Sequence, residues 1–436
     1  MVIKRANVPK VKGRLLVVTS GELHQIIERM GMYCPWYASL LGSLSKNKSL
    51  ELKQLPLISA SVLEKYYYLS DQPLSQLGGL HKYHTSGTSS GKRKLIYYSQ
   101  ADEDAYMQIK LEIFRSIMGS AGYQTALADM GTGHAEVTAV EVFRRLGLEA
   151  DSIPFTLPIE QHLERLESYK PEVLYTMPSI LDRILLQSDN PKSYGIRHVI
   201  LVGEMAPAGW IRQVAGCLGI AEEQITDTYG SIEIGTLAYY SHEYGRYLFA
   251  DGIVAEGVGT EMLEEELEPL PNHEQVLVLT STVREAFPAL RYVTYDVVRD
   301  LRPIIVNGVE RMSFQSIVKR IGPDLKHGEK ISIYDIEDVV HQQLGQMSSI
   351  RVQMDGNSLK VIVYNPDKPD YQSRSSEAEE RLEVIRQALE ERIPAIGAMI
   401  HSGILSRIQV VRGGFDDEEQ RSRVKHKKIY YGKVEG

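Results

Sequence analysis

The chain has 436 residues, 43% hydrophobic and 24% charged, with a formal net charge of −8; that length calls for more than one packed unit, and the mild acidic excess argues against a broad nucleic-acid surface. Two cysteines, Cys34 and Cys217, build neither a disulfide framework nor a zinc site. No run reaches the ~18–20 apolar residues of a membrane helix, and no apolar signal core follows the basic start, so the expectation is a globular protein of a reduced, cytoplasmic setting with no membrane partner.

The first stretch, to about residue 80, reads as helical and irregular, with Leu23, Ile26, Ile27 and Met30 at helical spacing. From Tyr83 to Arg320 strands alternate with helices. Val173–Thr176, His198–Val202 and residues 276–280 read as buried strands; residues 143–148, 162–169 and 180–187 read as helices. The alternation predicts an α/β domain around a largely buried sheet. Residues 261–274 are acidic and contain prolines, which predicts a solvated loop. After Asp324 the pattern changes. Ile333–Leu344 is an amphipathic helix, and residues 350–354 and Ser358–Tyr364 flank an Asp355-Gly356 hairpin turn. A helix over 375–392 and a final strand over 408–411 complete a small α+β unit of about 110 residues. The expected division is a large domain over 1–322 and a small domain over 323–436.

The stretch Thr85-Ser86-Gly87-Thr88-Ser89-Ser90-Gly91-Lys92-Arg93-Lys94 gathers five hydroxyls, two glycines and three cations. Glycines admit a polyanion close to the backbone, exposed N–H groups and hydroxyls bind phosphate oxygens, and the lysines supply charge. It is not a Walker A loop. That motif needs four residues between Gly and Gly-Lys and then a helix, whereas three separate Gly87 from Gly91 and a strand-like run follows Lys94.

The stretch instead resembles the phosphate loop of the acyl-adenylate-forming superfamily, Ser/Thr-Ser-Gly-Thr-Thr/Ser-Gly-Lys-Pro-Lys, with Arg93 in place of the proline. Asp227-Thr228-Tyr229-Gly230-Ser231-Ile232-Glu233 is similar to that superfamily's Tyr-Gly-x-x-Glu motif. Gly203-Glu204 resembles its adenine-side segment, and Phe287-Pro288-Ala289-Leu290-Arg291-Tyr292-Val293-Thr294-Tyr295-Asp296 its ribose segment. Cys34-Pro35-Trp36-Tyr37-Ala38-Ser39-Leu40 and the Phe-Pro pair look most like the phenylacetate–coenzyme A ligase group. Gly328-Glu329-Lys330-Ile331-Ser332 is more like acyl-amide synthetases.

The resemblance implies a ligase with a mobile C-terminal lid. It uses MgATP to turn a carboxylic acid, an aromatic one on the closest likeness, into an acyl-adenylate. The acyl group then passes to a thiol, coenzyme A or an acyl or peptidyl carrier protein; an amine acceptor is the alternative, and a homodimer is allowed. By the same resemblance residues 85–92 hold the phosphates, Glu233 binds magnesium, and Gly203, Glu204, Asp227, Tyr229, Gly230, Asp296 and Arg320 bind adenine and ribose. Asp324 is the hinge and Lys428, with Lys427 beside it, the mobile catalytic lysine. His134, Tyr175 and Ser231 are candidates for the acid pocket. Plainer roles stand beside these. Tyr229 suits core packing, Asp296 a pair with Arg299, and Lys428 a solvated basic tail. A non-catalytic nucleotide or acyl binder, or a protein binding an acidic partner through its basic tail, are the readings outside enzymology.

Overall fold

Helix and strand ends here follow local chemistry. Thr19 and Glu22 form a reciprocal capping box that starts helix Ser20–Gly31, which buries Leu23, Ile26 and Met30. Helix His134–Arg145 starts well before the stretch expected from apolar spacing. It stops because Gly147, at φ +91°, turns the chain into strand Glu149–Pro154. The computed structural model describes residues 18–69, 73–84, 94–130, 134–263, 267, 269–321, 333–344, 348–355, 358–364, 376–401, 403, 405–406, 408–413 and 429–431. It falls into two units, one of residues 1–87, 92–113 and 230–324, the other of residues 88–91, 114–229 and 325–436.

The first unit is antiparallel. One sheet runs in the order Ile253–Val258, Glu274–Ser281, Tyr292–Arg299, Ser316–Arg320. Its strand Glu274–Ser281 carries Val276, Leu277, Val278 and Leu279, all 0% exposed, so both faces of the strand are covered. Strands Arg302–Val306, Val309–Phe314, Arg246–Phe249 and Gly235–Ser241 follow one another in a second sheet. His81–His84 pairs with Leu95–Tyr98 in a register that sets His84 opposite Leu95, on either side of the hydroxyl-rich stretch.

The second unit holds a parallel sheet in the order Ile225–Ser231, His198–Val202, Val173–Thr176, Thr125–Met130, Glu149–Pro154. Helices Ile159–Tyr169, Pro178–Gln187 and Ala208–Leu218 pack an apolar layer against it that includes Leu166, Ile184, Trp210 and Val214. A buried pair ties helix to sheet: His162 Nδ1 lies 2.9 Å from both Asp129 carboxylate oxygens. The direction of winding reverses between Thr125–Met130 and Val173–Thr176. The carboxyl ends of those two strands form the topological switch point, where ligands bind in open α/β sheets.

The C-terminal segment of this unit matches the expected α+β pattern. Helices Ile333–Leu344 and Ser376–Arg392 cover a sheet ordered Ile408–Arg412, Ser358–Tyr364, Ser349–Asp355, Ile429–Tyr431. The hairpin falls where its turn signal puts it, but Asp355 is the last paired residue of its strand, opposite Ser358, one residue beyond the expected strand end. The last strand was not expected. Ile429–Tyr431 pairs parallel to Ser349–Asp355, and three residues beside a basic run carry no readable alternation. Within the same unit, helix Ile333–Leu344 caps a neighbouring helix. Asp338 Oδ1 accepts from the Gly209 amide at 3.0 Å, and Gln213 Nε2 donates to the His341 carbonyl at 2.8 Å.

Helix Gln100–Met118 carries one costly residue. Lys110 is 0% exposed, its ammonium 5.6 Å from the Tyr106 ring centroid, and burial pushes its amine down to about 7. A lysine whose folded pKa is lowered burdens the fold most below that value, and the burden fades as pH rises toward 10.5. Lys110→Met should therefore raise the melting temperature at pH 7 and below, with the gain shrinking through pH 8 to 10. Thermal melts across that range check it; a gain independent of pH contradicts it.

Candidate functional site

In the first unit the site is built on a tight turn. Residues 232–234 link strand Ile225–Ser231 to strand Gly235–Ser241, and the turn needs glycine at both shoulders. A Cβ on Gly230 would lie 2.7 Å from the Gly235 carbonyl. Gly235 itself sits at φ +112°, and a Cβ there would meet the Tyr106 ring at 2.6 Å. Two successive carbonyls of the turn are held. Tyr98 Oη donates to Ile232 O at 2.8 Å, and Arg284 Nε donates to Glu233 O at 3.0 Å. Arg284 is 4% exposed, pairs with Asp102, and lies 3.7 Å above the Tyr98 ring centroid.

Glu233 is half-buried, and its carboxylate makes no hydrogen bond or ion pair among the described residues. Two tyrosines feel its charge. Burial first, and Glu233 next, push the hydroxyls of Tyr68 and Tyr292 well above the ordinary range. Lys94 follows the hydroxyl-rich loop with its ammonium 4.8 Å from the Tyr68 ring centroid and 2.7 Å from Glu64. Tyr292 also lies within electrostatic reach of Asp296 and Arg320.

Asp296 and Arg320 are directly opposite each other on paired strands, with Arg320 Nε 3.8 Å from Asp296 Oδ1. Tyr295, just before Asp296, is held at φ +61° and anchors its hydroxyl on the Ala60 amide at 3.0 Å. Arg291, at φ +52°, is 5% exposed and donates to the carbonyls of Lys53 and Leu55. Non-glycine residues in the left-handed region mark positions the surroundings over-determine. The alternative partner for Asp296 is otherwise engaged, since Arg299 bonds Glu274 at 2.7 Å. Ser231 Oγ is buried and has no hydrogen-bond partner among the described residues.

In the second unit, Gly203 turns at φ +78° and Glu204 caps helix Pro178–Gln187. Its carboxylate accepts from the Ser179 amide at 2.8 Å and hydroxyl at 2.9 Å, so it is committed to the helix. Asp227 and Tyr229 are buried along strand Ile225–Ser231, 5% and 9% exposed. Tyr175 does not look outward. It is 2% exposed and packs edge-on against Phe114 and Phe143. Next to it is Thr176. It is 0% exposed, ends its strand at the switch point, and its hydroxyl has no hydrogen-bond partner among the described residues. Helix His134–Arg145 begins beside the adjacent strand end, which places the His134 backbone at the same switch point. Residues 85–92, Asp324, Lys427 and Lys428 lie outside the described residues.

The buried Arg284–Asp102 pair is what sequence reading missed. Nothing in spacing marks a core ion pair 182 residues apart.

Comparisons with known proteins agree with one another. The family described as the C-terminal domain of fumarate–diaminopropanoate ligases matches residues 326–416. A fumarate–(S)-2,3-diaminopropanoate ligase of Enterobacter agglomerans is 35% identical over 388 residues, which covers 89% of this chain and 94% of the relative. Among solved structures, a 2-hydroxyisobutyryl–coenzyme A ligase in its postadenylation state aligns over 95% of this chain and 89% of its own, with TM-score 0.71 and 17% identity. The same ligase in its thioesterification state aligns with TM-score 0.58 and 16% identity. At that identity these structures bear on fold alone: a large N-terminal domain and a small C-terminal one.

The turn makes a direct test. Gly235→Ala adds a Cβ against the Tyr106 ring at a left-handed φ and should cost roughly 1–3 kcal/mol in stability. Trimming the ring in Gly235→Ala/Tyr106→Ala should recover part of that in a double-mutant cycle by urea unfolding. Strict additivity of the two changes contradicts the contact.

Proposed function

The chain belongs to the fumarate–(S)-2,3-diaminopropanoate ligase family of adenylate-forming ligases, and from that premise we propose that it joins a small dicarboxylic acid to an amine with ATP cleaved to AMP and pyrophosphate. The observation that carries this reading is an alignment spanning 94% of a relative named for both an acid and an amine. It moves the acceptor from the thiol expected of a phenylacetate–coenzyme A ligase to an amino group, in keeping with the amide-synthetase likeness of residues 328–332.

A carboxylate cannot expel oxide, so one of its oxygens first attacks the α-phosphorus and pyrophosphate leaves. The amine then attacks the acyl carbon, the bond to AMP breaks, and the ammonium proton is lost. Negative charge spreads over phosphoryl oxygens in the first step, which calls for placed cations and donors. In this reading residues 85–92 hold the β- and γ-phosphates. Asp296 accepts from ribose hydroxyls beside Arg320, and Tyr229 and Gly203 flank the base. Lys428, carried by a small domain over 323–436, stabilises the adenylating transition state. Glu233 suits magnesium: its half-buried carboxylate is uncommitted among the described residues, and no group of three metal-ligating side chains occurs among them. An ion that leans on substrate phosphates and keeps its waters needs no more than one such ligand. Bound there, magnesium would offset charge on the phosphates. The acid itself is assigned to the switch point, where the Thr176 hydroxyl offers a hydrogen bond.

Pyrophosphate exchange across a panel of acids should be acid-dependent and strongest with short unsaturated dicarboxylates. Product analysis with a diamino acid should show an amide, and coenzyme A should give no thioester. Exchange with no acid defeats the ligase reading; a thioester without amide returns the acceptor to a thiol. Glu233→Gln should lower exchange by about 10²-fold. Thr176→Val removes an unsatisfied buried hydroxyl, so stability should hold or rise while KM for the acid increases several-fold; an unchanged KM removes Thr176 from the pocket.

A further inference from the structure

We propose that Arg284 is the positioning residue that sets Glu233 for magnesium, an inference that rests on the adenylating reading above. Arg284 never reaches the carboxylate. It acts on the backbone that carries it. Its Nε donates to the Glu233 carbonyl at 3.0 Å, and another guanidinium nitrogen donates to the Tyr97 carbonyl at 2.6 Å. Tyr97 lies on strand Leu95–Tyr98, the strand that leaves the hydroxyl-rich loop. One buried group therefore ties the turn bearing the carboxylate to the exit of the loop assigned to the phosphates.

The third guanidinium nitrogen pairs with Asp102, which is itself immobilised. Its carboxylate accepts from the amides of Ser99 at 2.9 Å, Glu285 at 2.7 Å and Ala286 at 3.1 Å. Tyr98 completes the clamp. Its ring lies under the guanidinium, and its hydroxyl holds the Ile232 carbonyl, so two consecutive carbonyls of the turn are fixed from one direction. Three acceptors in three directions match the planar fork of arginine, and a lysine ammonium on one stem cannot serve them together. A carboxylate with no side-chain partner among the described residues owes its direction to the backbone, and this clamp supplies that constraint.

The test uses the full chain with Arg284→Lys and Tyr98→Phe. Calorimetry measures ATP binding with excess EDTA and with magnesium, and pyrophosphate exchange is titrated with magnesium. Wild type should bind ATP more tightly with magnesium. Arg284→Lys should bind metal-free ATP as wild type does, lose most of the magnesium enhancement, and need several-fold more magnesium for half-maximal exchange, with KM for the acid unchanged. Tyr98→Phe should show the same shifts in smaller measure and carries the test if Arg284→Lys does not fold. A wild-type magnesium response in the folded variants, or a change in acid KM alone, overturns the proposal. Wild type with no magnesium-dependent ATP binding and no exchange overturns the adenylating reading instead.

Discussion

The first unit depends on one buried ion pair. Taking Arg284 and Asp102 out of water costs several kcal/mol per ion unless every donor and acceptor is met. Here they are met by main chain: three amides on the carboxylate, two carbonyls and an aromatic face on the guanidinium. The pair thereby reaches the start of helix Gln100–Met118, the strand after the hydroxyl-rich loop, the Glu233 turn and the segment leading to Phe287. Hydrophobic contact alone would hold these segments near one another, since it has no direction. The ion pair adds direction, which a site needs and a core does not.

The same unit stores backbone strain. Arg291 and Tyr295 occupy the left-handed region, and the sheet register shifts between Val276 and Val278, so that Thr294, Tyr295 and Asp296 fall between the paired Val293 and Val297. A bulge re-aims its side chains, and Asp296 is one of those it carries. The strain is held down by buried bonds: Arg291 to the carbonyls of Lys53 and Leu55 and to Glu256, Tyr295 to the Ala60 amide. The early stretch, helical and irregular by its sequence, is thus the brace for the strand that presents Asp296 to Arg320 on its neighbour.

Sequence reading worked where the information is local. Strands Val173–Thr176 and His198–Val202 and helix Ile333–Leu344 fall at the expected residues, because a fully apolar run and a helical stripe each need only their own neighbours. The Asp-Gly signal likewise located the hairpin of strands Ser349–Asp355 and Ser358–Tyr364. Motif order along the chain foretold that Asp296 and Arg320 would share a place, and they face each other across two strands. What failed was non-local. The enclosure of Tyr175 by Phe114 and Phe143 has no local signature, and only the winding order shows that its strand end borders the switch point. Arg284 lay unremarked between a threonine-rich strand end and the Phe-Pro pair, since its partner Asp102 comes from a distant helix start.

The two units bring different chemistry. The described charges of the first, Glu233, Asp296, Arg320 and Lys94, are the kind that answer phosphates, a ribose and a metal. The switch point of the second offers a buried hydroxyl at Thr176 and helix starts, with Asp129, bonded to His162, directly opposite Thr176 on the neighbouring strand. Such a pocket suits an acid whose reacting carboxylate is to be neutralised as a mixed anhydride. A strong cation beside that carboxylate would stabilise the ground state as much as the transition state and gain nothing in rate. Keeping the cations with the nucleotide and the hydroxyl with the acid places the electrostatic stabilisation where charge develops, on the phosphoryl oxygens.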